Sequence, residues 1–201
     1  MNTSYRRPVE AEKAYRLLNH GPTVLVSAAY AGQRNIMAAA WAMPLDFKPG
    51  KVAVVLDKST WTRTLVEASG HFALQVPTVA QAHMVEAVGS SAGKVLIDEE
   101  NIDKFAAYGL SVFPGQVTDA PLIEGCVAWL ECRLYPEPHI QETYDLFLGE
   151  ILFAQADERV FSNGRWHFDG HDQLRTIHHV AGGHFITAGP AIDALAMPRV
   201  R

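Results

Sequence analysis

Short apolar runs separated by turn residues dominate the hydrophobic pattern of this chain. The β-branched, apolar stretch at 23–30 is followed by a turn at 31–34, so residues 35–43 are predicted to return as the second strand of a hairpin. The apolar run at 52–56 contains no polar residue and predicts a central strand. Further strands are predicted at 71–76, 125–135 and 144–156, with one more apolar piece at 177–180.

Helical spacing of apolar residues occurs in only a few segments. Residues 8–19 predict a leading helix, and a second helix is expected from an N-cap at Ser59 to a C-terminal cap at Gly70. Residues 81–88 predict a third helix. A loop is expected at 90–93, a short turn or helix at 101–108, and a polar loop at 162–172. Because strands and helices do not alternate regularly, an antiparallel barrel with added helices is favoured over a doubly wound sheet.

Composition narrows the class of protein without identifying it. The chain has 201 residues, of which 48% are hydrophobic and 19% charged, with a net charge of -5. No linker or charge run divides it, so residues 1–201 are expected to form one domain. The mild acidity argues against a nucleic-acid partner. The absence of an apolar run of membrane-spanning length argues against a membrane partner.

The N-terminus and the cysteines bear on location. The first residues have no apolar signal core. Cys126 and Cys132 fall on one predicted strand, where six residues separate them by roughly 20 Å, too far for a disulfide. Reduced thiols in a cytoplasmic protein are therefore expected.

Two segments carry most of the candidate chemistry. Residues 35–41, from Asn35 to Trp41, place small residues between a polar and a large aromatic residue, so the backbone could approach a flat ligand closely. The alternative is a small-residue strand that packs under a helix, with Trp41 filling the core. Residues 59–63 offer hydroxyls, free amides at a helix start and the cation of Arg63, which suit a phosphate. The alternative there is an ordinary N-cap with solvated neighbours.

Other reactive side chains give weaker patterns. Five histidines lie close together near the C-terminus, but no cysteine pair completes a zinc set and no metal site is predicted. A Gly-x-Ser-x-Gly elbow is lacking, which argues against a hydrolase. The carboxylates at 98–100 and 157–158 are expected in solvated loops. The histidines in question are His167, His171, His178, His179 and His184.

Taken in order, these motifs resemble the flavin reductase-like family of FMN-binding split-barrel proteins, especially its flavoredoxin branch. The similarity runs from Leu17 to about Gly189. It depends on the segments Asn35–Trp41, Asp57–Arg63, Asp103–Phe105, Ile123–Cys126, Phe147–Glu150 and His179–Gly183.

The resemblance implies a mainly β fold, a six-stranded Greek-key split β-barrel with peripheral helices, and a homodimer with FMN near its interface. Around the isoalloxazine ring it implies Asn35, Ile36, Met37, Ala38, Ala39, Ala40 and Trp41. For the ribityl phosphate it implies Ser59, Thr60, Thr62 and Arg63, with Lys104 adding a contact and Phe185 covering the flavin.

One departure from the family pattern concerns nicotinamide use. Many flavin reductases have Gly-Asp-His before the strand that here begins Phe147-Leu148-Gly149, whereas this chain has Glu142-Thr143-Tyr144. Tyr144 therefore stands where the family commonly places a histidine near the cofactors. If it does stand at the flavin, its ring can stack there and its hydroxyl can donate one hydrogen bond. The alternative is that Tyr144 begins a strand and packs against neighbouring prolines.

The resemblance implies an oxidoreductase, a flavin reductase that takes hydride from NADH or NADPH and passes electrons to flavin or a protein acceptor. No side chain is predicted as a catalytic acid or base, because hydride transfer belongs chiefly to the cofactors. The alternative is a non-catalytic flavin-binding or electron-carrier protein, or a haem protein with His178, His179 or His184 as axial ligand.

Overall fold

A computed structural model describes residues 5–192 and residue 194. Its strands are β1 (Arg6–Pro8), β2 (Val24–Tyr30), β3 (Gln33–Ala39), β4 (Ala42–Phe47), β5 (Gly50–Val55), β6 (His71–Val76), β7 (Val112–Phe113), β8 (Leu122–Ile123), β9 (Ala128–Tyr135), β10 (Leu146–Asp157), β11 (Phe161–Ser162), β12 (Arg165–Trp166), β13 (Ile177–Ala181) and β14 (His184–Thr187). The helices are α1 (Trp61–Ser69), α2 (Ala82–Ser90), α3 (Gly93–Glu100), α4 (Lys104–Ala107) and α5 (Pro138–Tyr144), and 3-10 turns lie at Ala11–Leu17, Val79–Gln81 and Asp172–Leu174.

The main sheet is antiparallel and runs in the order β3-β2-β6-β9-β10-β5-β4, with β1 added alongside β10. Laid flat, seven strands would separate β3 from β4 by about 29 Å. The chain passes from Ala39 in β3 to Ala42 in β4 in three steps, which reach at most about 11 Å. The sheet must therefore curl far enough to bring the end of β3 within this distance of the start of β4.

The six-stranded Greek-key prediction is confirmed when β3 and β4 are counted as one strand interrupted at Ala40 and Trp41. The first four strands along the chain are then β2, β3–β4, β5 and β6. The fourth of these strands, β6, lies beside the first, β2, so the four strands have the spatial order 4-1-2-3. This order defines the Greek key. The long connection that returns to β6 contains α1.

Apolar side chains cover both faces of the central strands, so the core has two parts. Val24 and Val26 of β2 point into one cluster, together with Phe72 and Phe147. Leu25, between them, points to the opposite face and packs in a second cluster with side chains from β3, β9, α2 and α4. The alternation follows from the two-residue period of a strand. Helices contribute to both clusters, since α1 packs Leu65 and Val66 into the first, while α2 and α4 pack into the second.

Several predicted boundaries move in the structure. The leading helix is a 3-10 helix of seven residues, and α1 begins at Trp61 with Thr60, rather than Ser59, as its N-cap. Gly70 ends α1 in the left-handed conformation, at φ 70°, as predicted. The carboxylates at 98–100 lie in helix α3 and not in a loop. Tyr144 ends α5 and does not begin a strand.

Helix length sets a limit on membrane insertion. Among the described residues, no helix has the length and apolar character needed to cross a bilayer.

Candidate functional site

A cleft of about 510 Å³ opens between the end of β3, helix α2 and the β13–β14 hairpin. The strand side consists of the predicted small-residue segment from Met37 to Trp41, and Val55 and Asp57 extend it. The opposite side comes from α2 and the hairpin, through Val85, Glu86, Gly89, Ser90, His179, Gly182, Gly183 and Phe185, with Thr23 completing the lining. This volume falls in the range of small-molecule and cofactor sites.

Small residues let α2 approach β3 closely beside the cleft. A Cβ placed on Gly89 would lie 3.2 Å from the Cβ of Ala38, so there is no room for larger side chains at this contact. Beyond it, Ala40 is exposed and Trp41 is 75% exposed. The packing interpretation holds for Ala38, which lies under α2, but not for Trp41, which is exposed and does not fill the core. Contact of Ala40 and Trp41 with a flat ligand stays a prediction.

The β13–β14 hairpin supplies the outer wall. The amide of His179 donates to the hydroxyl of Thr23 at 2.8 Å, which ties β13 to the start of β2. The rings of His179 and Phe185 meet edge to face with centroids 5.4 Å apart. At the tip, a Cβ on Gly183 would lie 3.5 Å from the carboxyl carbon of Glu86, so the hairpin turn sits against α2.

The start of α1 is organised by Asp57. Its carboxylate accepts from the amide of Ser59 at 2.8 Å and from the Ser59 hydroxyl at 2.6 Å, and these bonds lower the pKa of Asp57. The hydroxyl of Thr60 donates to the carbonyl of Asp57 at 2.7 Å. The side chain of the N-cap residue Thr60 makes no hydrogen bond to the amides in the first turn of α1, which are groups that can donate to an acceptor.

Arg63 is already held in a network of carboxylates. Its guanidinium donates to Asp145 and, at 2.9 Å, to Glu67, and it also donates to the carbonyl of Gln141 at 3.2 Å. The same guanidinium lies over the ring of Phe147, 5.1 Å from the centroid. In this arrangement Arg63 joins α1 to the end of α5 and to β10.

Asn35, Thr62 and Lys104 lie inside the protein. The Asn35 amide nitrogen donates to the Thr62 hydroxyl at 3.0 Å, and both residues are buried. The Lys104 ammonium donates to the carbonyl of Val88 at 2.6 Å. Burial lowers the pKa of Lys104 to about 8. The first of these bonds joins β3 to α1, and the second joins α4 to α2.

The structure thus divides the predicted flavin-contacting residues into two sets. The residues that line the cleft are Met37, Ala38, Ala39, Ala40, Trp41 and Phe185. Those that lie outside its lining are Asn35, Ile36, Ser59, Thr60, Thr62, Arg63, Lys104 and Tyr144. Ile36 is buried in the second core cluster, and Tyr144 is 64% exposed beside the Arg63 network. The cofactor contacts of both sets stay predictions.

Sequence reasoning missed the cleft wall formed by α2. Glu86, Gly89 and Ser90 lie far from the small-residue segment in the chain, and no local motif connects them to it. For His179 and the Gly182-Gly183 pair a signal was present, since they belong to a segment that carries the family resemblance. The position of β13 beside the start of β2 could not be predicted from the sequence. This position brings His179, Gly182 and Gly183 to the cleft.

The lining fits a flat, largely apolar cofactor such as the isoalloxazine of FMN. Ala40, Trp41 and the aromatic ring of Phe185 line one space of suitable volume. Asp57 is part of the lining and precedes α1 in the chain, and the amides in the first turn of α1 are donors of the kind that suits a phosphate, although residues 59–63 lie outside the lining. The residues present are therefore compatible with this group.

Comparisons with known proteins agree on one family. A family model described as a flavin reductase like domain matches residues 16–175. The uncharacterized protein YddH of Escherichia coli (strain K12) is 50% identical over 190 residues, which cover 93% of this chain and 97% of that protein.

Solved structures are similar over nearly the same length. The crystal structure of an FMN-binding domain of a flavin reductases-like enzyme from Shewanella baltica is 49% identical, with a TM-score of 0.88, and the match covers 94% of this chain and 97% of that one. Flavoredoxin of Desulfovibrio vulgaris (Miyazaki F) is 26% identical, with a TM-score of 0.72, and the match covers 87% and 90%.

Proposed function

The chain belongs to the flavin reductase-like family, and from that premise we propose that it binds FMN in the cleft and acts as a flavin oxidoreductase. The electron donor is a reduced nicotinamide, NADH or NADPH, and the acceptor is a second flavin or a protein. The observation that carries the proposal is the cleft itself, in which the predicted small-residue wall and Phe185 face one space. A similar protein from Shewanella baltica, 49% identical, is described as FMN-binding.

In this proposal the chain's own residues bind and orient. Ala40 and Trp41 offer a wall against which a planar ring can lie, and Phe185 excludes water from the other side. The first-turn amides of α1 take the phosphate, with the hydroxyls of Ser59 and Thr60 close by. When bound, FMN supplies the hydride and electron chemistry. The contribution of the protein to rate is then chiefly positioning.

The direct test of FMN binding is an absorption spectrum and a titration with FMN followed by quenching of its fluorescence. Ala40→Leu fills the cleft wall and should weaken FMN binding by roughly tenfold, or about 1.4 kcal/mol. Ala107→Leu is the matched control, because Ala107 is exposed on α4 and does not line the cleft. Equal affinity of Ala40→Leu and the unaltered protein would contradict binding in this cleft.

Turnover separates the enzyme from its non-catalytic alternative. Oxidation of NADH or NADPH in the presence of FMN supports a reductase, whereas bound flavin without turnover supports an electron carrier. His179 is the one candidate haem ligand that lines the cleft among the described residues. A Soret band in place of flavin bands would therefore replace the FMN proposal with haem binding.

We also propose that the chain forms a homodimer through β4. Three alternate side chains of this end strand are apolar and exposed, Met43 at 54%, Leu45 at 45% and Phe47 at 65%, and Trp41, just before the strand, continues the series at 75%. A contiguous apolar strand face of this kind marks an interaction surface. Trp41 belongs both to this face and to the cleft, so a second copy placed here would border the flavin site.

A further inference from the structure

The cleft has an acidic lining. Among the residues that the structure places in it, Asp57 and Glu86 are the carboxylates and His179 is the remaining ionisable side chain, while lysine and arginine do not occur there. Asp57 accepts two hydrogen bonds from Ser59, which favour its ionised form. The lining itself therefore carries carboxylates, and the two cations that act on Asp57, which are Lys58 and Arg63, lie outside the lining.

Glu86 holds a particular place in this lining. It is exposed on α2 and lies against the hairpin tip, with its carboxyl carbon 3.5 Å from a Cβ placed on Gly183. No ion pair to a lysine or arginine within residues 5–192 neutralises it. Its charge thus acts at the mouth of the cleft, between the hairpin and the solvent.

Reduced nicotinamide donors share the same reacting dihydronicotinamide ring and differ mainly in the charge of the rest of the molecule. NADH carries the two negative charges of its pyrophosphate, and NADPH adds a 2′-phosphate with nearly two more at neutral pH. A simple 1-benzyl-1,4-dihydronicotinamide has the same reacting ring and no charge. A carboxylate without a paired cation, such as Glu86, repels these donors in the order of their charge.

We propose that the cleft selects its electron donor by charge, preferring NADH to NADPH, with Glu86 as the specificity-determining residue. The inference rests on the proposed function, since it names the donor of that same site. A unit charge about 10 Å from a 2′-phosphate changes the affinity roughly threefold at low ionic strength, and salt screens the effect. Glu86→Gln removes the charge and keeps the shape of the side chain.

The experiment measures kcat/KM of the FMN-loaded protein for NADH, NADPH and 1-benzyl-1,4-dihydronicotinamide at about 10 mM and about 0.5 M salt. Dissociation constants for NAD⁺ and NADP⁺, measured by calorimetric titration, give a second readout that does not depend on turnover. At low salt, Glu86→Gln should raise the ratio of kcat/KM for NADPH to that for NADH about threefold, and should lower the ratio of the NADP⁺ to the NAD⁺ dissociation constant by the same factor. High salt should abolish both changes. Glu99→Gln, an exposed carboxylate on α3 outside the cleft lining, is the matched control and should leave the ratio unchanged.

The outcomes separate this inference from the proposed function. If all three donors reduce the flavin and Glu86→Gln leaves every ratio unchanged, or Glu99→Gln changes it as much, charge selection by Glu86 is wrong and the reductase stands. A preference of the unaltered protein for NADPH also overturns the inference alone. If FMN does not bind, or no dihydronicotinamide is oxidised, the proposed function fails and the inference fails with it.

Discussion

Gly149 shows how a single residue fits the packing of the barrel. It lies buried in β10, and a Cβ at this position would come within 2.4 Å of Phe72 and 3.2 Å of Cys132. Gly149→Ala should therefore destabilise the protein by about 1–3 kcal/mol, because the close-packed ring of Phe72 cannot move aside without cost. Urea unfolding measures the change.

A matched glycine distinguishes packing from general backbone effects. Nothing lies within 4 Å of a Cβ placed on Gly189. Gly189→Ala should leave the free energy of unfolding within about 0.5 kcal/mol of the original. If the two alanine variants were equally stable, contact with Phe72 would not explain Gly149.

His20 should make the stability depend on pH. Burial and the neighbouring His178 lower the pKa of His20 to about 4, below the value near 6.5 of an unfolded chain. Between these values the unfolded state binds more protons, so stability is fully present above pH 6.5 and falls as the pH drops toward 4. The loss between pH 7 and pH 5 should be about 1–2 kcal/mol.

Unfolding in urea at pH 5 and pH 7 measures this loss. His20→Gln should flatten the pH dependence, since the amide has no proton to gain and can still meet Thr176, which lies 2.8 Å from His20 Nε2. His139→Gln, at an exposed position on α5, should keep the slope of the original protein. A slope unchanged by His20→Gln would assign the pH dependence to other groups.

For single residues, the sequence predicted a structural role where that role depends only on neighbours in the chain. Gly70 was predicted as a cap because a left-handed C-terminal residue follows from the helix end alone. The packing of Gly149 against Phe72 could not be predicted, because the two meet across β9, through Cys132, and not along the chain.

Glu131 of β9 anchors the loop at residues 116–118 to the main sheet, so the position of that whole loop depends on one side chain. Its carboxylate is fully buried and accepts from the amides of Gln116, Val117 and Thr118 and from the Thr118 hydroxyl, at 2.8–3.0 Å. Glu131→Ala would leave these donors without a partner. We expect a loss of about 2–4 kcal/mol and faster hydrogen exchange at the three amides.

An exposed carboxylate nearby provides the contrast. Glu150 of β10 pairs with Arg133 of β9 at 2.7 Å, with both side chains partly in solvent. Glu150→Ala should cost less than about 1 kcal/mol, because water and salt screen the pair. A larger loss for Glu150→Ala than for Glu131→Ala would contradict the role assigned to the buried carboxylate.

Among elements, the β2–β3 hairpin was easier to predict than helix α3, which begins at a glycine. The β2–β3 hairpin follows from two apolar runs and a turn, all close in the chain. Helix α3 was missed since Ser90-Ser91-Ala92-Gly93 is typical of a loop, and the carboxylates at its end were assigned to solvent. Gly93 is required there because a Cβ would come within 2.2 Å of the buried Asn35, a tertiary contact that the local pattern does not contain.

The apolar β4 face concerns the molecule as a whole. β4 pairs with β5 and lies at the end of the sheet order, next to the segment that joins it to β3. Side chains on an end strand that are apolar and exposed favour self-association. The fold could be predicted from the sequence through its family motifs, whereas the exposure of this face required the structure, because Ala42, between the exposed Trp41 and Met43, packs into the core.

Leu45→Lys tests the homodimer and its link to the cleft. A charge in the middle of the β4 face should raise the dimer dissociation constant at least about tenfold, because an ammonium would be desolvated without a partner. Sedimentation velocity measures the dissociation constant. Val117→Lys, which changes a 50% exposed side chain away from the β4 face, should leave the dimer intact.

Leu45→Lys also tests whether the dimer supports the flavin site. Leu45 does not line the cleft, but Trp41 lies in both the face and the cleft. If the dimer positions Trp41, Leu45→Lys should also weaken FMN binding, and the loss should be smaller at high protein concentration. A monomeric unaltered protein would refute the dimer, and unchanged FMN affinity in a monomeric Leu45→Lys would show that one chain completes the flavin site alone.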